Sequence, residues 1–234
     1  MSFFFFSRIL SFLSIICIIY IKLLLFIKGY NIFTGLIREI ATVKSLSSST
    51  LNIKAKHKAK LGDSIAINGA CLTVVKVLND GFSVELSPES QRVLAMDNYK
   101  NEVHIEPAMM MGDRFEGHIV QGHVDCIGKI KEIRNSGNSY DIFIEIDKKF
   151  IPFVIPKGSI TVDGVSLTVN DVNSDSFRLT IIPHTMKETL FKNYKKGTLI
   201  NIETDMFARY VSHIISHQKQ ILSWDEVDSI TARY

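Results

Sequence analysis

The chain has 234 residues, of which 46% are hydrophobic and 22% charged, with a net charge of +3 at neutral pH. Acidic and basic residues are mixed along the sequence, which gives no reason to expect nucleic acid as a partner. The three cysteines, Cys17, Cys71 and Cys126, are odd in number and widely spaced. This spacing argues against a disulfide framework or a zinc motif, and it favours a reducing compartment such as the cytoplasm.

Residues 1–31 differ in composition from the rest of the chain. An apolar run from Ile9 to Ile27, about 19 residues, is long enough to cross a bilayer as a helix or to act as a signal anchor. The alternative is that this stretch is not translated. A membrane is therefore expected as a partner only if residues 1–30 belong to the native protein.

The first half opens with β-rich sequence and continues as short alternating segments. The alternation of apolar and polar side chains, broken by turn residues, is typical of half-buried strands. Ser87-Pro88-Glu89 has the pattern of a helix start. The elements predicted in this half are an opening at 32–37 and 40–43, a polar turn at 45–50, strands at 51–59, 81–86 and 103–106, and a short helix from Ser87 to about Leu94.

One stretch of the chain is written twice, as Ser64–Val74 and again 95 residues later as Ser159–Val169. Each copy predicts strand, turn and strand, because Asn68-Gly69 and Asp163-Gly164 are strong signals for a tight hairpin. The copies differ just after the turn, where one has Cys71 and the other Ser166. The repeat predicts two similar domains with unequal chemistry.

The second half repeats the order of the first. Gln121-Gly122 stands where Thr34-Gly35 stood, a hairpin loop is predicted at 135–139, and strands at 127–130, 140–146 and 200–203. This spacing favours an all-β chain of two tandem barrels of about six strands. An apolar helical stripe after the last strand suggests a helix that packs on other copies of itself: Phe207, Tyr210, Val211, Ile214 and Ile215.

Several motifs resemble the riboflavin synthase alpha-chain family in order and spacing over about residues 32–217: Phe33-Thr34-Gly35, Asn68–Thr73, Gly117–Asp125, Asp163–Val169 and Asn201–Glu203. The resemblance implies two six-stranded Greek-key barrels and a C-terminal helix that gathers three chains. It implies formation of riboflavin from two molecules of 6,7-dimethyl-8-ribityllumazine, with 5-amino-6-(ribitylamino)uracil released. The N-terminal barrel of one subunit would face the C-terminal barrel of another. No cofactor or metal is implied, and lumazine synthase is a candidate partner.

This resemblance divides the chain into an extension at 1–31, barrels at 32–117 and 118–205, and a helix and tail at 206–234. Family members begin with methionine directly before Phe-Thr-Gly, and here Ile32 holds that position. We therefore hypothesise that translation starts at Ile32.

Four polar residues are the catalytic candidates. Cys71 is expected to act as a nucleophile or as a hydrogen-bond partner of the substrate. The alternative is that it only fills space in the core as a small apolar side chain. His123 titrates near neutral pH and is able to move a proton, or it merely binds backbone. Ser166 and Asp205 are candidates only because of the resemblance. From the residues alone, Ser166 would be interpreted as a turn residue and Asp205 as the first residue of a helix.

The resemblance also implies substrate contacts at the positions where this sequence matches the family's motifs. Thr73 and Thr168 suit the polar edge of a flat pyrimidine, and Glu89 suits a ribityl chain. His184 departs from the acid that the family often has there. The full expected set is Phe33, Thr34, Gly35, Leu36, Ile37, Ser64, Cys71, Leu72, Thr73, Glu85, Leu86, Ser87, Pro88, Glu89, Ser90, Gly122, His123, Val124, Lys157, Asp163, Ser166, Leu167, Thr168, Thr180, Ile181, Ile182, Pro183, His184 and Thr185.

The rival function is a non-catalytic lumazine- or flavin-binding protein of the same fold. Such proteins also consist of two similar barrels, but the second barrel has lost its ligand-binding pocket. Here both copies keep the turn and the Leu-Thr-Val strand, and all four catalytic candidates are present. This favours the enzyme.

Overall fold

The computed structural model describes residues 32–218. The predicted extension at 1–31 and the tail after Gln218 lie outside these residues. Within the described part of the chain, no helix combines the length and apolar character needed to span a bilayer.

The first six strands close into an antiparallel barrel in the order β1-β2-β5-β4-β3-β6. Closure pairs every strand on both sides, which removes exposed sheet edges. Alternate side chains point inward, so that Leu51, Ile53, Phe82 and Ile105 form the core. The strands are β1 (Glu39–Ser47), β2 (Thr50–Lys54), β3 (Ser64–Ile67), β4 (Ala70–Leu78), β5 (Gly81–Glu85) and β6 (Glu102–Pro107).

The second six strands form another closed antiparallel barrel, in the order β10-β11-β8-β7-β12-β9. It repeats the neighbour relations of the first barrel, and its core is built in the same way from Ile130, Ile144, Phe177 and Ile202. The predicted fold class is confirmed. The strands are β7 (Cys126–Asn135), β8 (Tyr140–Glu145), β9 (Ser159–Val162), β10 (Val165–Val172), β11 (Ser176–Ile181) and β12 (Leu199–Thr204).

Short helices join the last strands of each barrel. The predicted helix after Ser87 is present, and the Ser87 side chain accepts the Ser90 N–H as an N-cap. The predicted C-terminal helix follows the second barrel. The α-helices are α1 (Pro88–Val93), α2 (Pro183–Glu188) and α3 (Met206–Gln218), and 3-10 turns cover Met96–Tyr99, Lys148–Phe153 and Leu190–Asn193.

Three local predictions in the first half were wrong. The sequence predicted a polar turn over 45–50, but β1 runs to Ser47 and only residues 48 and 49 turn. Polar side chains lie in the ladder here because they bind one another across it: the Asn52 amide donates to Ser45 Oγ at 2.9 Å. Strand β2 ends at Lys54 instead of 59, and the opening at 32–37 contributes a single bridge, Phe33 with Val120.

The two barrels meet back to back at their repeated hairpin turns. A methyl group on Gly69 would lie 2.8 Å from the Gly164 nitrogen, so only glycine allows this approach. A buried polar network surrounds the contact: Asn201 donates through its amide to the Asn68 carbonyl at 2.8 Å and accepts the Ala95 N–H at 2.7 Å. Hydrogen bonds that span both repeats fix the relative position of the barrels.

Candidate active site

The first candidate centre surrounds Cys71, the second residue of β4 after the hairpin turn. Its backbone N–H donates to the Gly122 carbonyl at 2.8 Å, so the opening segment of the second barrel lies on it. The thiol is partly exposed. Burial raises the pKa of the thiol, a hydrogen bond with Ser64 opposes this, and the negative charge of Glu203 raises it further. The thiol is therefore protonated at neutral pH, and in this form it can donate a hydrogen bond.

The second candidate centre surrounds Ser166, at the equivalent position of β10. Its backbone N–H donates to the Gly35 carbonyl at 2.8 Å, so the opening segment of the first barrel lies on it. Its hydroxyl oxygen is 2.8 Å from Nδ1 of His118. Burial lowers the pKa of His118, and the charge of Asp205 partly offsets this effect. A neutral imidazole beside a hydroxyl, with a carboxylate nearby, has the composition of an activated serine.

His118 is the residue that sequence reasoning missed. Gly117-His118 and Gly122-His123 are two copies of one dipeptide within a single motif, and only the second histidine was chosen. The structure leaves His123 exposed while His118 is 9% exposed and bonded to Ser166. The repeated Gly-His pair was the available signal, but the distance to Ser166 depends on how the barrels dock.

Two buried glutamates hold the opening segments in place. Glu106, on β6, accepts the Thr34 N–H at 2.7 Å, the Thr34 hydroxyl at 2.9 Å and the Gly35 N–H at 3.0 Å. Burial raises the pKa of Glu106, and these donors oppose the shift. Thr34, predicted to touch substrate, is therefore fully buried and uses its hydroxyl to hold the loop.

Glu203 does the same on β12 of the second barrel. Its carboxylate accepts the N–H groups of Gln121 at 2.8 Å, Gly122 at 2.9 Å and His123 at 3.1 Å. Burial raises the pKa of Glu203 to about 7 against these donors. The sequence predicted both glutamates at the ends of the two closing strands, after Ile105 and Ile202, but assigned neither of them a role.

Each of the two centres is therefore held in place by both barrels. Each glutamate orients the opening loop of its own barrel, and the glycine of that loop contacts the reactive position of the other barrel. A methyl group on Gly35 would lie 2.6 Å from Cβ of Ser166, and one on Gly122 would lie 2.5 Å from Cβ of Cys71. Both candidate side chains, Cys71 and Ser166, are thus held at the junction of the barrels.

Asp205 lies at the start of α3, where Oδ1 accepts the Phe207 N–H at 2.8 Å. The structure brings it close enough to His118 to influence that ring electrostatically. Arg209, one turn along α3, binds Asp125 at 2.5 Å and the Gln121 side chain at 2.9 Å. The helix is thereby fastened to the loop that carries His118 and His123.

Several residues predicted to contact substrate are buried in the described structure. Asp163 is fully buried, and its carboxylate accepts the Asn201 N–H at 2.7 Å and the Tyr194 hydroxyl at 2.6 Å in the joint between the barrels. The first hairpin has Asn68 in this role, so the turn residue is structural in both copies. Other side chains face the apolar cores or inner clusters instead of solvent: Phe33, Leu72, Leu86 and Ile181.

The remaining candidates surround the two centres in separate segments. Thr73 and Thr168 are exposed next to Cys71 and Ser166, and the Thr180 hydroxyl donates to Asp141 at 2.7 Å. Ser64 pairs with Thr73 across β3 and β4. Exposed or partly exposed candidates occupy loops and short helices: Leu36, Ile37, Glu85, Ser87, Pro88, Glu89, Ser90, Val124, Lys157, Leu167, Ile182, Pro183, His184 and Thr185.

Comparisons with known proteins agree with this architecture. The lumazine binding domain family matches residues 34–108 and 121–205, one match for each barrel. A riboflavin synthase of Photobacterium phosphoreum is 40% identical over 193 residues, covering 78% of this chain and 88% of the relative. A riboflavin synthase of Bacillus subtilis is 37% identical over 188 residues, covering 76% of this chain and 87% of that protein.

Solved structures share the fold at lower sequence identity. LumP complexed with riboflavin matches with a TM-score of 0.68 at 18% identity, covering 74% of this chain and 99% of LumP. LumP complexed with 6,7-dimethyl-8-(1'-D-ribityl) lumazine matches with a TM-score of 0.65 at the same identity. The likeness confirms the tandem-barrel arrangement.

Proposed function

The chain belongs to the riboflavin synthase family of proteins with two lumazine-binding domains, and on this premise we propose the reaction it catalyses. Two molecules of 6,7-dimethyl-8-ribityllumazine react; one gives a four-carbon unit to the other. The products are riboflavin and 5-amino-6-(ribitylamino)uracil, so the enzyme is a transferase.

One observation carries the proposal: the duplicated barrels keep the same frame and place different reactive side chains at equivalent positions. Cys71 and Ser166 each follow the hairpin turn, and each is met by the opening glycine of the other barrel at 2.8 Å. A reaction between two identical molecules needs two similar sites with different duties. The frame supplies the similarity, and the thiol and hydroxyl supply the difference.

The Ser166 centre suits the molecule that takes a nucleophile at C7. His118 is neutral at pH 7 because burial lowers its pKa, and its Nδ1 faces the Ser166 hydroxyl at 2.8 Å. Such a ring accepts the hydroxyl proton as the oxygen adds to the substrate, and it returns that proton later. The charge of Asp205 stabilises the imidazolium that forms in between.

The Cys71 centre suits the molecule whose 7-methyl group loses a proton. The protonated thiol, with Ser64 beside it, can donate a hydrogen bond to the heterocycle. Because it is neutral, it adds no negative charge to that of the nearby Glu203. His123 follows Gly122 directly and is exposed, and we assign proton transfer at this centre to its ring. Glu203 fixes the backbone of this loop, which limits the positions open to His123.

The test of this function is turnover by the purified full chain. Incubated with 6,7-dimethyl-8-ribityllumazine alone, it is expected to form riboflavin, followed by absorbance and chromatography. Tight binding of lumazine without riboflavin would instead indicate a binding protein. Ser166→Ala is expected to keep binding and lose about 10²-fold or more in kcat.

The exposed stripe of α3 supports a homotrimer. Phe207, Tyr210, Val211, Ile214 and Ile215 are each 53–58% exposed, and a contiguous apolar face of this kind marks an interface. We propose that three copies pack through this helix and place the N-terminal barrel of one subunit against the C-terminal barrel of another. Val211→Glu is expected to yield monomers by light scattering, whereas a wild-type monomer would refute the proposal.

Two further proposals concern the compartment, from the cysteine pattern, and a partner protein, from the family. A reducing compartment, the cytoplasm, suits the free thiols of Cys71 and Cys126. Lumazine synthase, which would supply the substrate, stays a predicted partner. Co-purification at native expression levels tests the association.

A further inference from the structure

Helix α3 carries two histidines that take no part in the sites described above. His213 and His217 are four residues apart, so they lie on one face of the helix. Their rings are close, with centroids 4.0 Å apart and planes inclined by 38°. Both side chains are solvent-accessible.

The hydrogen bonds of this pair orient one ring for coordination. Nδ1 of His217 lies 2.8 Å from the His213 carbonyl oxygen, which only accepts, so this nitrogen carries the proton. Nε2 of His217 is therefore left with its lone pair. A histidine that donates its other N–H to a backbone carbonyl is the usual arrangement of a metal ligand, because the bond fixes both tautomer and ring orientation.

The ring of His213 completes the pair. Within residues 32–218, neither of its ring nitrogens makes a hydrogen bond with a protein group. Two imidazoles at this helical spacing can reach one ion, as in the helical zinc motif in which two histidines stand four residues apart.

The surroundings permit a cation. His213 lies at a groove of about 550 Å³ together with Gln121, Phe153 and Arg209, and His217 lies one turn further along α3, outside the groove lining. The guanidinium of Arg209 is already paired with Asp125 at 2.5 Å, which reduces its repulsion of a second positive charge. The described residues hold no group of three or more metal-ligating side chains, so water would complete the coordination shell.

We propose that His213 and His217 bind one divalent transition-metal ion of the zinc class on α3. The ion bridges two successive turns of the helix and stabilises the outer end of the element that carries the exposed apolar stripe. Neutral imidazole is a ligand that zinc and nickel share, so either ion is a suitable probe.

The test is a calorimetric titration of the full chain, freed of metal with a chelator, with Zn²⁺ and separately with Ni²⁺. One ion per chain is expected. His213→Ala and His217→Ala should each weaken binding at least about tenfold. Alanine favours helix, so a loss of affinity with unchanged far-ultraviolet circular dichroism is not a loss of α3. His57→Ala, a single histidine elsewhere on the surface, is the matched control and should leave binding unchanged.

A second readout separates the site from adventitious binding. Excess Zn²⁺ should raise the thermal unfolding midpoint of the wild type more than that of the His213→Ala, His217→Ala double variant, because a ligand of the native state stabilises it. Equal affinity in the wild type and the double variant, or an equal loss in His57→Ala, would overturn the proposal.

Discussion

Replacing Gly122 with alanine tests whether the docking of one barrel on the other positions Cys71. Gly122 has φ +76°, and a methyl group there would lie 2.5 Å from Cβ and 2.8 Å from the nitrogen of Cys71. The left-handed conformation costs a non-glycine residue about 1–2 kcal/mol. Overpacking against Cys71 adds about 1–3 kcal/mol. We therefore expect Gly122→Ala to lose about 2–5 kcal/mol of unfolding free energy.

Gly137 provides the matched control. It lies in the β7–β8 loop with φ +66°, and a methyl group there would meet nothing within 4 Å. Gly137→Ala should carry the backbone cost alone, about 1–2 kcal/mol. Urea unfolding of both variants measures the difference, and turnover should fall about tenfold or more in Gly122→Ala only, because Cys71 is displaced. Equal losses of stability and activity in the two variants would refute the reasoning.

Three other predictions concern separate parts of the molecule. Burial raises the pKa of Asp163 to about 7 in the native state, above its unfolded value of 3.8. The stability contributed by this group is therefore present at low pH and is lost as the pH rises from 3.8 to 7. In urea unfolding, Asp163→Asn should reduce the loss of stability between pH 4 and 7 by about 2–4 kcal/mol. His118→Ala should lower kcat by about 10²–10⁴-fold with little change in lumazine affinity, because the base for Ser166 is removed. Arg209→Ala should cost about 1–3 kcal/mol and speed amide exchange in α3, because it strips Asp125 of a partly buried partner.

Each of these predictions has a control or a contradicting result. A pH profile of Asp163→Asn that matches the wild type would mean that this carboxyl does not titrate in the window. His57→Ala should retain full turnover, so a similar fall there would remove the case for His118. Arg134→Ala breaks an exposed pair with Glu132 and should cost about 0–1 kcal/mol. A loss as large as that of Arg209→Ala would mean that burial is not the deciding factor.

Much of the fold was predictable because the chain repeats itself. The hairpins at Asn68-Gly69 and Asp163-Gly164, the helix capped by Ser87 and the helix after Asp205 all follow from local residue chemistry. The ends of strands were less predictable, as in β1, which continues through polar Ser45 because Asn52 satisfies the hydroxyl from the neighbouring strand. Cross-strand partners of this kind are not visible in a single segment of sequence.

The candidate site was predictable in its reactive positions and not in their partners. Cys71 and Ser166 occupy equivalent positions just after the hairpin turn of the repeat, and the family resemblance supplied the role of Ser166. His118 reaches Ser166 across 48 residues of chain, and Glu106 reaches Thr34 across 72. Such pairs join residues far apart in the sequence, so they depend on the tertiary fold, including the docking of the two barrels. For the same reason Asp163, which resembled a pocket residue in sequence, turned out to belong to the joint.

A mass balance of the reaction tests the central claim most directly. The account holds that two unequal centres act on two identical molecules. The purified full chain, given 6,7-dimethyl-8-ribityllumazine and no added cofactor, should form one riboflavin and one 5-amino-6-(ribitylamino)uracil for every two lumazines consumed. Bound lumazine that is never consumed, or riboflavin formed without an equal amount of the pyrimidine, would contradict the account.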